Sequence, residues 1–338
     1  MLHGYNDFDE IYDYAKAHEE WLDNLLHLWN GIPCARTINN AFRLISPEAF
    51  LTAFMTWVSK TVERVVGSQI IIDGKAIRAT AEKAKNGNTP YIVSAYLADL
   101  GISIGQKRVD DKSNEITAIP NLLDVLELDD CIVTIDAMGT QKDIAAKIAE
   151  KNDYVLALKA NQNNIYRDVY NYFEETIQDE KLYFDQNCLK TAEKSHGRIE
   201  KRAYYLSSDI DWLEGKNEWQ NLKAIGAVWS ETIRNGKLCT EHRYYLTTLS
   251  DLKIFADAVR SHWGVENSLH WCLDVVFNED RCRSRKGNTA ENFAVIRKVV
   301  LNILKNFPTE KPCSLNAKRL RCQFNFDFLA DVLLSVFA

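Results

Sequence analysis

The sequence predicts an α/β protein: a partly parallel sheet flanked by helices, with a mainly β insertion before its last helices and a helical region at its start. Three observations carry that expectation. Short β-type runs alternate with helix-length segments between residues 69 and 158, helical spacing precedes Gly67, and it returns after residue 250.

Through residues 5–66, aromatic and aliphatic side chains recur every three or four positions in FDEIYDYAKAHEEWLDNLLHLW and SPEAFLTAFMTWVSKTVERVV. Ser46-Pro47 followed by Glu48 is a helix start. Next come QIIID (69–73), YIVSAYL (91–97) and ISIGQKRV (102–109), a helix through IPNLLDVLEL, CIVTID (131–136), a helix through DIAAKIAEK, and YVLAL (154–158). Residues 160–250 are more polar, with β-type runs AYYLS, KAIGAVWSET and RYYLTT, and read as an insertion or second sub-domain. Helical spacing then runs through DLKIFADAVRSHW, ENSLHWCLDVVF and NTAENFAVIRKVVLNILKNF to Pro308 and Pro312.

Composition narrows the function. With 338 residues, 46% of them hydrophobic, the chain can bury a sizeable core. It has no run of about 18 apolar residues and an acidic start, so a cytoplasmic location is expected. Eight cysteines without a CxxC pair read as reduced thiols. The net charge of −6 counts against a polyanion partner, but its distribution softens the objection: residues 1–30 carry seven acids and one base, residues 281–321 eleven bases and two acids. The basic runs RCRSRK and AKRLR suit a polyanion or plain solvation equally.

Asp73 and Asp136 both end β-type runs, where α/β sheets place ligands. Each also has a structural explanation. Asp73-Gly74 is a hairpin dipeptide, and Asp136 precedes a loop that Thr140 and Asp143 could close as a capping box.

In order along the chain, IIIDGKAIR, VDDKSNEITAIPNLLDVLEL, VTIDAMGTQKDIAAKI, YVLALKANQ, EKSHGRIEKR and HWGVENSLHWCLDVVFNED resemble the H-repeat-associated, ISAs-like branch of DDE insertion-sequence transposases. The resemblance implies an RNase H-like fold with Asp73, Asp136 and Glu266 as catalytic, metal-binding carboxylates. It implies two Mg²⁺ ions, with Mn²⁺ able to substitute, because hard oxygen ligands can hold a pair of ions that clamps an in-line phosphodiester displacement. The implied partners are DNA, both the element's terminal inverted repeats and the target, with a homodimer on paired ends. The domain organisation would be a helical region at 1–66, shortened relative to the family, a catalytic domain at 67–305 with its insertion at about 160–250, and a helical tail at 306–338.

The neighbours are less specific. His262, Glu266 and His270 lie at four-residue steps on one helix face, but the outer two would be about 12 Å apart along the axis, too far for one zinc. His262 could instead orient Glu266 or touch a phosphate. The wider group carries Tyr, Arg and Lys around its glutamate; the corresponding positions here are Val259, His262 and Leu273, with Arg260 and Lys286 as candidate substitutes. Lys75, Arg78, Lys159, His196, Arg198, Arg260, His262, Arg285 and Lys286 are the candidate DNA contacts. Trp263 and Trp271 read as core residues ahead of base-stacking ones, and Glu279 and Asp280 as solvated acids. Two other functions fit the same residues: a decayed relative that only binds DNA, and an RNase H-like nuclease without strand transfer.

Overall fold

A computed structural model describes residues 1–61, 66–76, 91–109, 115–126, 128–179, 188–195, 198–234, 237–282, 284 and 286–335. Among them a single mixed sheet has the strand order β3-β2-β1-β4-β5-β9-β8-β7-β6. Its first part consists of β1 (Gln69–Ala76), β2 (Tyr91–Leu97), β3 (Ile102–Val109), β4 (Ile132–Ile135) and β5 (Asp153–Leu158). β1 is central, antiparallel to β2 and parallel to β4, and β4 is parallel to β5. That arrangement is RNase H-like.

Alternation along these strands separates two apolar faces. On one side Ile70, Ile72, Val133, Ile135, Tyr154 and Leu156 join the main core. It is closed by α4 (Pro47–Thr61), α5 (Glu115–Leu126), α6 (Lys142–Ile148) and α7 (Asn163–Asp179), through residues such as Phe54, Ile119, Ile144 and Phe173. On the other side Ile71 and Tyr96 meet residues of the chain after 264, and Val155 meets α8 (Leu252–Val265). Lying across β2 and β3 on that second face is α9 (Thr289–Asn306), where Asn302 bonds Ser103 N and O at 2.9 and 2.7 Å.

The insertion forms no separate sheet. Its strands β6 (Cys188–Ser195), β7 (Arg198–Ser207), β8 (Ala224–Arg234) and β9 (Lys237–Thr247) form an antiparallel meander whose last strand pairs with β5. The free edge of β5 is thereby covered. Two elements depart from expectation: α7 lies in a stretch read as mainly β, and β6 (CLKTAEKS) is a strand with no apolar face. It is the edge strand, where charged residues deter further pairing.

The basic C-terminal part also differs from its sequence reading, because much of its charge points inward. Arg297, Lys298, Lys318 and Arg319 are buried, with Lys318 Nζ donating to Leu304 O and Phe307 O. Lys298 Nζ donates to Ser94 Oγ (2.8 Å) and Gln106 Oε1 (2.5 Å). No described helix is long and apolar enough to cross a membrane.

The packing can be tested at two positions. A Cβ on Gly226 of β8 would sit 2.3 Å from Cζ of Phe255, whose ring is fully buried under α8. Gly226→Ala should therefore cost about 1–3 kcal/mol through overpacking, read as a lower urea midpoint; an unchanged midpoint would mean that α8 does not sit against β8 in this way. Burial lowers the Lys298 pKa to about 7 despite the pull of Glu279, while in the unfolded chain it is near 10.5. The unfolded chain thus carries the extra proton between those values, and this group's contribution to stability grows as pH rises through the window. From pH 7 to pH 9 the native protein should gain roughly 1–2 kcal/mol relative to Lys298→Met; parallel pH profiles would contradict it.

Candidate active site

The parallel pairing of β1 with β4 ends at Ile72↔Ile135, so Asp73 and Asp136 are the next residues on adjacent strands. By alternation both share the face of Ile71 and Thr134, beneath α8 and the segment after Val265. Asp73-Gly74 makes no hairpin, since β1 continues to Ala76 with Asp73 opposite Ser94. Asp136 Oδ1 accepts the Met138 and Gly139 amides at 3.1 and 3.3 Å, an Asx-type turn. A side chain at Gly139 would strike Ile135 and Ile119, so glycine lets this turn lie flat on the core. Nor does Thr140 belong to a capping box: its hydroxyl lies against Ala157 O and Asp136 O, tying the loop to β5.

A polar seam fixes α8 over the two strands. Gln69 Nε2 donates to Ala258 O (2.7 Å) and to Thr134 Oγ1 (3.3 Å). The Thr134 hydroxyl is in turn hydrogen-bonded with His262 Nδ1 at 2.8 Å. Thr134, not Glu266, is therefore the partner of His262. Burial keeps His262 neutral, its pKa lowered to about 4.

Beyond Val265 the expected α-helix widens into two π-helical turns, Glu266–His270 and Cys272–Val276. Trp271 N–H reaches Glu266 O, and Phe277 N–H reaches Cys272 O. Such turns leave carbonyls without their usual partners, and side chains cover them: Ser268 Oγ donates to Gly264 O, Lys305 Nζ to Ser268 O, and Cys272 Sγ to Asn267 O. This segment presents Glu266, which is exposed, and His270, which is buried, toward β1. His270 Nε2 lies 3.5 Å from Asp73 Oδ2, and its Nδ1 lies 3.8 Å from Glu266 Oε2.

Asp73, Glu266 and His270 could hold a metal ion, since one ligand atom from each lies within 4.8 Å of the others. Asp136 borders the same cleft but does not join that tight group. Burial, then the charges of Asp136 and Glu266, push the Asp73 pKa up to about 7. A bound cation would relieve that repulsion, so the donor set and its electrostatics fit a divalent ion. His270 is held neutral by burial, with Lys75 and Lys298 adding to the effect, its pKa lowered to about 4.

Lys75 and Glu279 depart from their sequence readings. Lys75 is largely buried and paired with Asp274 and with Glu279 Oε2 (2.7 Å), so it is not a free cation for phosphate. Glu279 is no solvated helix end. Its side chain is 4% exposed and lies 3.7 Å from Arg297 Nη1. Burial opposes its charge, yet Lys75 and Arg297 hold its pKa below the usual carboxylate range. Asn278, in the left-handed region at φ 52°, turns the chain inward at this point.

The acids line a cleft of about 640 Å³ whose opposite wall comes from the insertion. Arg243 lies 4.2 Å and Arg202 5.4 Å above the Trp263 ring. Arg202, with a side chain only 2% exposed, is paired with Glu200 through Nη2 and lies 3.6 Å from Glu193 Oε1 through Nη1. Lys159, Arg198, Arg260 and His262 also line the cleft, with Arg198 paired to Glu200 and Arg260 to both carboxylate oxygens of Glu193. Lys286 is exposed and outside the cleft lining, and Trp271 is also exposed. Arg78, His196 and Arg285 lie outside the described residues. Val259 and Leu273 are core residues. Sequence reasoning gave no role to His270, Thr134, Arg202 or Arg243. Only His270 had a signal, its four-residue step from Glu266.

Residues 66–303 match the family described as "Transposase DDE domain", and residues 1–58 match the one described as "DDE_Tnp_1-associated". The chain is 37% identical over 341 residues to "Putative transposase YncI" of Escherichia coli O157:H7, covering 99% of this chain and 86% of that protein. It is 36% identical to "H repeat-associated putative transposase YhhI" of Escherichia coli K12, covering 98% of this chain and 89% of that protein. A piggyBac transposase synaptic complex with hairpin DNA overlaps 80% of this chain and 52% of its own at 11% identity, with a TM-score of 0.41. The chain belongs to the DDE transposase family, in the company of the H-repeat-associated proteins.

Proposed function

We propose that this protein is a DNA transposase that cuts at the ends of its own insertion sequence and joins the freed ends to target DNA. The observation that carries the reading is the meeting of Asp73, Asp136 and Glu266 at one cleft whose facing wall carries arginine–glutamate pairs and aromatic rings. Asp73, Asp136 and Glu266 would hold the divalent ions, Mg²⁺ with Mn²⁺ as a substitute. The ions supply Lewis-acid polarisation of the phosphate and ease deprotonation of the attacking hydroxyl.

The chain's own residues do the rest. Arg243, whose side chain is 36% exposed and paired with Glu241, lies over Trp263, where a phosphate of the bound strand could exchange with that carboxylate. The Gln69–Thr134–His262 seam keeps α8, and with it the start of the Glu266 turn, in register over β1 and β4. Water attacks the phosphodiester at the element's end, breaking the P–O3′ bond to leave a 3′-hydroxyl. That hydroxyl then attacks a target phosphodiester in the same cleft, forming one P–O bond as another breaks. The family relationship supports terminal inverted repeats as substrate and a homodimer on paired ends.

Incubating purified protein with DNA containing the flanking ends and Mg²⁺ or Mn²⁺ tests this directly. The native protein should nick at the ends and join them to target. Asp73→Asn, Asp136→Asn and Glu266→Gln should each lose on the order of 10³-fold in cleavage, corresponding to several kcal/mol of metal-site stabilisation, while still binding DNA. Cutting without joining would indicate a nuclease instead. Binding without cutting by the native protein would defeat the proposal.

A further inference from the structure

We propose that His270 is itself a metal ligand, through Nε2, and that this nitrogen donor makes the Asp73–Glu266 position favour Mn²⁺ over Mg²⁺. The inference rests on the metal-dependent reading above and goes further by assigning the donors of one ion. In this structure His270 has a side chain 9% exposed, yet its buried Nε2 has no hydrogen-bond partner. Buried polar atoms are nearly always paired, so an orphan beside the Asp73 carboxylate calls for a partner.

The neighbours that might explain the ring do not. At 3.5 Å, Asp73 Oδ2 is too far for a good hydrogen bond from Nε2. The carbonyls freed by the π-helical turns are covered by Ser268, Lys305 and Cys272, so His270 is not needed to cap them. One donor atom from each of the three residues lies within 4.8 Å of the others, a group that closes onto one ion by inward movement of the side chains, given metal–ligand bonds of about 2.0–2.3 Å.

The donor types also divide the two positions chemically. Asp73 with Asp136 offers only oxygen, which suits Mg²⁺. Asp73 with Glu266 and His270 offers two oxygens and an imidazole, and nitrogen donors favour transition metals over Mg²⁺. Why a core histidine would sit here is otherwise unexplained, since the adjacent Leu269 and Leu273 already fill the apolar contact with Ile71.

Mn²⁺ titration of the full-length protein, followed by electron paramagnetic resonance, reads the assignment without any activity measurement. The native protein should show nitrogen coupling to bound Mn²⁺ that changes when histidine is labelled with ¹⁵N. His270→Gln should abolish the coupling and weaken Mn²⁺ binding about 10–100-fold, while Mg²⁺ affinity, measured by competition, moves less than about threefold. The native spectrum alone can overturn the proposal, whether or not the variant folds: Mn²⁺ that is bound without nitrogen coupling excludes the imidazole. Coupling that persists in a folded His270→Gln would belong to another histidine and also overturns it. Asp73→Asn separates this failure from a wider one. If Asp73→Asn removes bound Mn²⁺ that shows no nitrogen coupling, only the His270 assignment falls. If the native protein binds no Mn²⁺, or Asp73→Asn leaves binding intact, the metal-site reading falls with it.

Discussion

Two carboxylates at neighbouring positions on parallel strands repel one another, and withdrawing them from water strengthens the repulsion. Here β1 and β4 stop pairing at Ile72 and Ile135, leaving Asp73 and Asp136 side by side with Glu266 above. The fold holds them through its least compliant parts. Three apolar residues of β1 precede Asp73 and are almost completely buried, and the Asp136 turn is pinned by amide donors and by Thr140 against β5. Backbone hydrogen bonds and core packing, far from the acids themselves, hold the charges where they would not gather spontaneously.

Electrostatic support surrounds the cluster at one remove. Lys75, two residues after Asp73, is turned away from the acids and locked to Asp274 and Glu279, with Arg297 and Lys298 behind it on α9. This buried network joins the strand that carries Asp73 to the far end of the π-helical segment that carries Glu266 and His270. A buried charge network is weak support for stability, but it specifies geometry well because every partner must be in place. The negative net charge is also compatible with a DNA-acting protein. Much of the C-terminal basic surplus serves the interior, while the cations lining the cleft are Arg198, Arg202 and Arg243 of the insertion with Lys159 and Arg260 beside it.

How much each element revealed in sequence depends on its physics. The strands leading to Asp73 and Asp136 were legible because they are buried and short, bounded by turns and helices. Edge strand β6 was not, since only Cys188 and Leu189 at its start pack against the core and the rest carries no apolar alternation. The widening of the helix at Glu266 was equally hidden: periodicities of π and α turns are too close to separate over ten residues. Glu279 looked like a solvated acid because its partners Lys75 and Arg297 are remote in sequence. Thr134 gave no signal alone, as one hydroxyl within a buried strand gains meaning only when Gln69 and His262 meet it. His270 sat in plain view at helical spacing from Glu266, but a comparison along one helix omitted Asp73, which arrives from another strand.

The central claim is that the carboxylates of β1, β4 and the π-helical turn form one two-ion site. Crystals of the full chain soaked in Mn²⁺ and measured at the metal's absorption edge test it most directly. The account predicts two anomalous peaks about 4 Å apart, both in contact with Asp73, one also touching Asp136 and the other Glu266. Peaks confined to other acids, with Asp73 untouched, would contradict it.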